Sequence, residues 1–108
     1  MHARAAEMAK YAINSYYAFK VIFGNQLYDL CQKCNANYDV VRDGLVHDKR
    51  IIDSHFDVLY GGYRGYGGKC LPKDVKTLAW LARKSGKPAK LLEAVIGVNE
   101  KLTAQKNV

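Results

Sequence analysis

Three features of the sequence predict an all-α fold. Apolar residues recur at helical spacing over most of the chain, no stretch alternates apolar and polar residues as a half-buried strand does, and the turn-forming residues cluster between the periodic segments. The first helix is expected to be long. From Ala5 to about Cys34 there is no proline and one glycine, Gly24, which should weaken it, while Met8, Tyr11, Ala12, Phe19, Ile22, Phe23, Leu27, Leu30 and Cys31 fall at helical intervals. Between Tyr11 and Phe23 apolar side chains occupy nearly the whole circumference. One packed face cannot bury them all, so a second surface is implied, and a homodimer interface would supply it.

Asn35-Ala36-Asn37 reads as a turn, after which Asp39 can cap a short helix running through Arg42 and stopping at Gly44. A further short helical stretch is expected from His47 to Phe56. Tyr60 to Gly68 then carries five glycines among nine residues, which excludes regular helix and lets the backbone approach a ligand closely. Helix resumes at Pro72, suited to a first helical position, with Val75, Leu78, Ala79, Leu81 and Ala82 on one side until Ser85-Gly86 stops it. Pro88 opens the last long helix, along which Leu91, Leu92, Val95, Ile96, Val98, Asn99 and Leu102 are spaced.

A chain of 108 residues with 49% hydrophobic content is one domain's worth and can bury a core. No apolar run is long enough to span a bilayer, and the opening residues lack the apolar block of a secretion signal, so a cytoplasmic protein without membrane attachment is expected. The formal charge of +7 invites an anionic partner. The basic residues are scattered, however, with no dense arginine run to follow a phosphate backbone, so nucleic acid is not expected as the partner. Three cysteines, an odd number, point to free thiols in a reducing compartment.

The glycine-rich segment is the one stretch that looks like a site. Gly68-Lys69 does not complete a Walker loop, because Tyr63 stands where the first glycine belongs and Cys70 follows the lysine. Nor do Gly65 and Gly67 complete a dinucleotide fingerprint, which would need glycine at position 70. What remains is a cysteine, Cys70, between a glycine loop and a helix start, where free backbone amides and the positive end of the helix favour a thiolate. Lys69 and Lys73 add positive charge, and Asp74 lies four residues on. Cys31-Gln32-Lys33-Cys34 has the spacing of half a zinc site, but no second pair answers it, and thiols packed within a helix bundle are the expected role; no metal is expected. Lys10 and Asn14 share one face of the first helix, where a lysine beside an amide can hold an oxyanion; the plainer reading pairs Lys10 with Glu7 on a wet face.

The segment Gly65-Tyr66-Gly67-Gly68-Lys69-Cys70-Leu71-Pro72-Lys73-Asp74 resembles the G-[FY]-G-G-x-C-x-x-K-D signature of the UDP-glucose/GDP-mannose dehydrogenase family. Two further blocks agree. Ala6 to Asn14 is similar to that family's A-E-x-x-K-x-x-x-N helix, and His47-Asp48-Lys49-Arg50-Ile51 looks like its D-x-R-I segment. The blocks stand in the family's order and cover about residues 5 to 103. The resemblance implies that a sugar C6 alcohol is oxidised twice by NAD, through an aldehyde and a cysteine thioester, to a uronate. It implies Cys70 as nucleophile, Lys10 and Asn14 as stabilisers of the C6 oxygen or of water, and Asp74 in water activation. Arg50, Tyr66, Gly67, Gly68 and Lys73 are implied as substrate-binding, the arginine reaching a neighbouring subunit's site.

The implied substrate is a nucleotide sugar, UDP-glucose or a related one. The lysine before Cys70, where the N-acetylated-sugar branch places histidine, favours the UDP-glucose or GDP-mannose branch. The family's cofactor-binding Rossmann domain and its second nucleotide-binding domain are not expected within these residues. The segment is therefore expected to bind no NAD and to be inactive alone. The competing reading is an autonomous helical interaction module that retains the motif without catalysis.

Overall fold

The computed structural model describes residues 3–59 and 62–104; Tyr60, Gly61 and His2 lie outside them. Four helices follow one another: α1 (Ala3–Lys33), α2 (Tyr38–His47), α3 (Cys70–Lys84) and α4 (Lys90–Ala104). Among the described residues there is no strand, and no helix is long and apolar enough to cross a membrane. The long α1 is the spine. It packs most extensively on α3, then on α4, with α2 folded against its far end. Ala18 and Val75, both fully buried, lie in the core, joined by Ile22, Tyr66, Val95 and Leu102.

Gly24 does not interrupt α1. It is buried within an uninterrupted helix, and a Cβ there would stand 3.1 Å from the Tyr38 hydroxyl and 3.5 Å from the Phe56 ring. The missing side chain makes room for the element that folds back. Tyr38 then donates to the Phe56 carbonyl at 2.7 Å and meets the edge of Tyr28, with ring centroids 5.6 Å apart.

The second helix differs from the sequence expectation at both ends. Asn37, not Asp39, is the N-cap, its side chain accepting from the amides of Asp39 at 2.9 Å and Val40 at 3.3 Å. Asp39 falls in the first turn, where a negative charge suits the helix dipole. Gly44 lies inside the helix, which continues to His47. The expected helix from His47 to Phe56 does not form beyond that residue. Asp48 instead takes the Arg50 amide at 3.0 Å and its guanidinium at 2.7 Å, a local bond that competes with helix continuation, and His55 adopts a left-handed φ of 65°.

This irregular segment is tied down by a buried amine. Lys20, 6% exposed on α1, donates to the Ile52 carbonyl at 2.8 Å and the Ser54 hydroxyl at 3.1 Å and lies 4.6 Å from the centre of the Phe56 ring. Burial lowers its pKa from the ordinary lysine value, opposed by the charge of Asp53.

Helix α3 begins two residues before the expected start, at Cys70, with Pro72 third. Proline is tolerated there because the first-turn amides have no intrahelical partner. Gly86, at φ 84°, ends the helix with its amide on the Arg83 carbonyl and that of Lys87 on Ala82, each at 3.0 Å. The last helix starts at Lys90, two residues after Pro88.

Candidate active site

The described part of the glycine-rich loop, residues 62–68, has no ladder of its own, and side chains from two helices hold it. On the α1 side, the Arg64 guanidinium donates to the Asn25 side-chain oxygen at 2.5 Å, the Asn25 carbonyl at 3.2 Å and Asp29 at 3.0 Å. On the α4 side, the amide of Asn99 grips one residue twice: its oxygen accepts from the Tyr66 N–H at 2.7 Å and its nitrogen donates to the Tyr66 carbonyl at 3.1 Å. Gly65 lies between these anchors with φ 82°, and a Cβ there would fall 2.5 Å from the Asn99 oxygen. One step on, a Cβ at Gly67 would fall 2.7 Å from the Tyr63 hydroxyl. Glycine is required at Gly65 by both its φ and the close approach, whereas a Cβ at Gly67 would have to displace the Tyr63 ring.

The loop runs through Gly68 into α3, whose first residue is Cys70, and the thiol is exposed. Four residues along the same helix, and hence on the same face, Asp74 is 2% exposed. Its carboxylate is not left unpaired: the half-buried Asn14 of α1 donates to it at 2.7 Å. That bond spans 60 positions of sequence and joins the first candidate block to the third. Lys10 is exposed one turn before Asn14 on the same face of α1. Glu7, offered above as its partner, accepts from the Tyr11 hydroxyl at 2.8 Å. That bond raises the Tyr11 pKa above the ordinary phenol value, helped by slight desolvation and by the charges of Glu7 and Asp74.

The candidate substrate-binding residues are divided. Tyr66 is packed in the core, while its edge and Gly67 border a cleft of about 420 Å³ with Val21, His55, Asp57 and Tyr63. Gly68 borders a second cleft on the α4 side. Lys73 is exposed on α3. Arg50 stands apart: its side chain is 89% exposed, pairs with Asp48, and borders an apolar groove along α1 with Ile13, Tyr16, Phe19 and Phe23. Cys31 is buried and Cys34 exposed, both free, and no group of three or more His, Cys, Asp or Glu among the described residues is placed to hold a metal ion.

The sequence reading missed the anchors. Asn25 and Asn99 are polar residues at buried helix positions, in helical register with Ile22 and with Val95 and Leu102, and such a residue must find partners on a neighbouring element. That was the available signal. His55, stacked on Tyr17 with ring centroids 4.3 Å apart, has its pKa lowered by burial and by the charge of Lys20, and nothing in its sequence context marked it.

Residues 4–101, nearly the whole chain, match the central domain of the UDP-glucose/GDP-mannose dehydrogenase family. The chain belongs to that family. Among its relatives, the UDP-glucose 6-dehydrogenase TuaD of Bacillus subtilis is 42% identical over 97 residues, covering 90% of this chain and 20% of the relative. The UDP-glucose 6-dehydrogenase of Rhizobium meliloti is 41% identical over 97 residues, covering 90% and 21%. That of Pseudomonas aeruginosa is 42% identical over 95 residues, covering 88% and 20%. This UDP-glucose/GDP-mannose dehydrogenase central domain thus spans about a fifth of the length of the relatives it matches.

Burial, with a lesser contribution from the charge of Glu100, pushes the Tyr66 phenol of this family member up to about 12 from an ordinary 10.0. Below pH 10 the phenol is protonated in both folded and unfolded chains, and the burial is fully stabilising. Between pH 10 and 12 only the unfolded chain loses the proton, so stability falls as pH rises, by about 3 kcal/mol across the window. Urea unfolding at pH 9 to 12 is expected to show this loss in the wild type and its reduction in Tyr66→Phe, which keeps the ring. Equal alkaline losses in both chains would contradict it.

Proposed function

We propose that this chain is the active-site-bearing central domain of a cytoplasmic, homodimeric sugar-nucleotide 6-dehydrogenase. The enzyme oxidises the C6 alcohol of UDP-glucose or a related nucleotide sugar to a uronate in two NAD-dependent steps. The observation that carries this reading is the Asn14–Asp74 bond. It joins the A-E-x-x-K-x-x-x-N helix to the turn of α3 that begins with Cys70, which supports reading the separate motifs as parts of one site. The names of the relatives support the choice of substrate class.

In this reading Cys70 supplies covalent catalysis. Its sulfur adds to the C6 aldehyde, the carbonyl electron pair moves to oxygen, and protonation there gives a thiohemiacetal. Oxidation of that adduct at C6 gives a thioester. Water then adds to the thioester carbon, the C–S bond breaks, and the uronate leaves with the thiol restored. Lys10 stabilises negative charge on the C6 oxygen. Asp74, oriented by Asn14, takes the proton from the attacking water. NAD, when bound to the full-length enzyme, would supply the hydride acceptor for both oxidations. No strand–glycine loop–helix unit that would cradle it occurs among the described residues, so this segment is not proposed to bind NAD or to turn over alone.

Acid quenching of the full-length enzyme during turnover, followed by peptide mass spectrometry, is expected to find a sugar-nucleotide adduct on Cys70. Uronate formation with no adduct, or with the adduct on Cys31 or Cys34, would remove the thioester. The homodimer is supported by the apolar face of α1, where Ile13, Tyr16 and Phe23 are 53%, 60% and 43% exposed. Sedimentation of the 108-residue chain at micromolar concentration is expected to show a dimer that Tyr16→Glu/Phe23→Glu disrupts. A wild-type monomer would remove that part of the reading.

A further inference from the structure

Asn99 lies on α4, the helix that carries none of the candidate catalytic residues, yet it makes the closest polar connection to the catalytic loop from that side. It is 8% exposed, on the buried side of the helix between Val95 and Leu102 of the core. Its amide engages the backbone of one residue from both sides, accepting from the Tyr66 N–H at 2.7 Å and donating to the Tyr66 carbonyl at 3.1 Å. Such a two-sided bond fixes both the position and the rotation of the peptide groups it holds, which a single bond or an apolar contact does not.

The chain on either side magnifies that control. Gly65 has φ 82° and approaches Asn99 so closely that no side chain fits, and Gly68 has φ 80°. Glycines with positive φ are easily re-aimed, so an unanchored Gly65–Gly68 segment could enter α3 along several paths. Only Gly67, Gly68 and Lys69 separate the gripped residue from Cys70. We propose that Asn99 is a positioning residue for Cys70: by clamping the Tyr66 backbone it selects one path of the glycine loop and so sets where the thiol and the first amides of α3 stand. The proposal rests on the reading of Cys70 as nucleophile.

The test compares Asn99→Leu, which keeps side-chain volume, and Asn99→Asp with a control, Val95→Ala, a core truncation one turn away on the same helix. In the 108-residue chain, Asn99→Leu is expected to lower the hydrogen-exchange protection factor of the Tyr66 amide by about tenfold, the scale of one lost hydrogen bond. It should also shift the rate of iodoacetamide alkylation of Cys70 relative to the exposed Cys34 by about threefold or more, because the loop that sets where the thiol stands is no longer held on one path. Val95→Ala should lower the melting temperature and leave the Cys70 to Cys34 ratio unchanged.

Asn99→Asp guards against a leucine variant that fails to fold. Its ionised carboxylate can accept from the Tyr66 amide but faces the Tyr66 carbonyl with like charge, whereas the protonated acid both donates and accepts. Its Tyr66 protection factor should therefore rise on acidification relative to wild type. A Cys70 to Cys34 ratio that shifts equally in Val95→Ala, or an Asn99→Asp protection factor indifferent to pH, would overturn the proposal. Failure of the nucleophile reading looks different: complete alkylation of Cys70 would leave the full-length enzyme active, whatever Asn99 does to the ratio.

Discussion

Cys70→Ser in the full-length enzyme is expected to stop uronate release while sparing the first oxidation of alcohol to aldehyde. The first step needs no covalent bond to the protein, only an alcohol held where its hydride can leave. In the proposed mechanism the second needs an adduct. Serine keeps the position and nearly the size of the side chain, but an alkoxide is far harder to generate near neutral pH than a thiolate, and the ester it would form hydrolyses less readily than a thioester. The overall rate of uronate formation should fall on the order of a thousandfold or more, as when other enzymes lose a catalytic nucleophile.

Single-turnover measurement separates the stages. With limiting substrate the wild type should yield two equivalents of NADH per sugar nucleotide, and Cys70→Ser one or fewer, with aldehyde trapped by an added hydrazine. Two equivalents and free uronate at near-normal rate from the serine variant would sink both the nucleophile assignment and the chemistry built on the glycine loop.

The parts of this molecule legible in the sequence are those governed by short-range pattern. Three of the four helices announce themselves by apolar spacing, and Ser85-Gly86 stops α3 where a left-handed glycine is needed. Cys70 and Asp74 stand out as candidates by their local setting at the glycine loop and helix start, whereas Lys10 and Asn14 become candidates only through the resemblance; the structure brings Asn14 and Asp74 together. The path from Asp48 to Lys69 is not legible, because it is set by bonds to distant residues. Lys20 reaches Ile52 over 32 positions, Asn25 reaches Arg64 over 39, and Asn99 reaches Tyr66 over 33. No periodicity encodes such pairings. The use made of Gly24 is not legible for a related reason: a propensity scale gives the cost of glycine in an isolated helix and does not say that this glycine admits Tyr38 and Phe56 against the helix surface.

The Asn14–Asp74 pair allows structure and chemistry to be separated by two substitutions. Asn14→Leu removes the donor and leaves a carboxylate, 2% exposed, without its side-chain partner, which is expected to cost about 1–3 kcal/mol of stability. It should also slow the hydrolytic stage, because the carboxylate is no longer held towards the attacking water. Asp74→Asn does the reverse. The amide that replaces the carboxyl still offers an oxygen to Asn14, so folding stability should stay near wild type, but it cannot take a proton. Thioester hydrolysis should then fall by roughly a hundredfold to ten-thousandfold, the range for a positioned general base. Urea unfolding of the 108-residue chain reads the first effect, and decay of the Cys70 adduct in the full-length enzyme reads the second. If Asp74→Asn hydrolysed the adduct at the wild-type rate, Asp74 would be a structural partner of Asn14 and the base would have to be sought elsewhere.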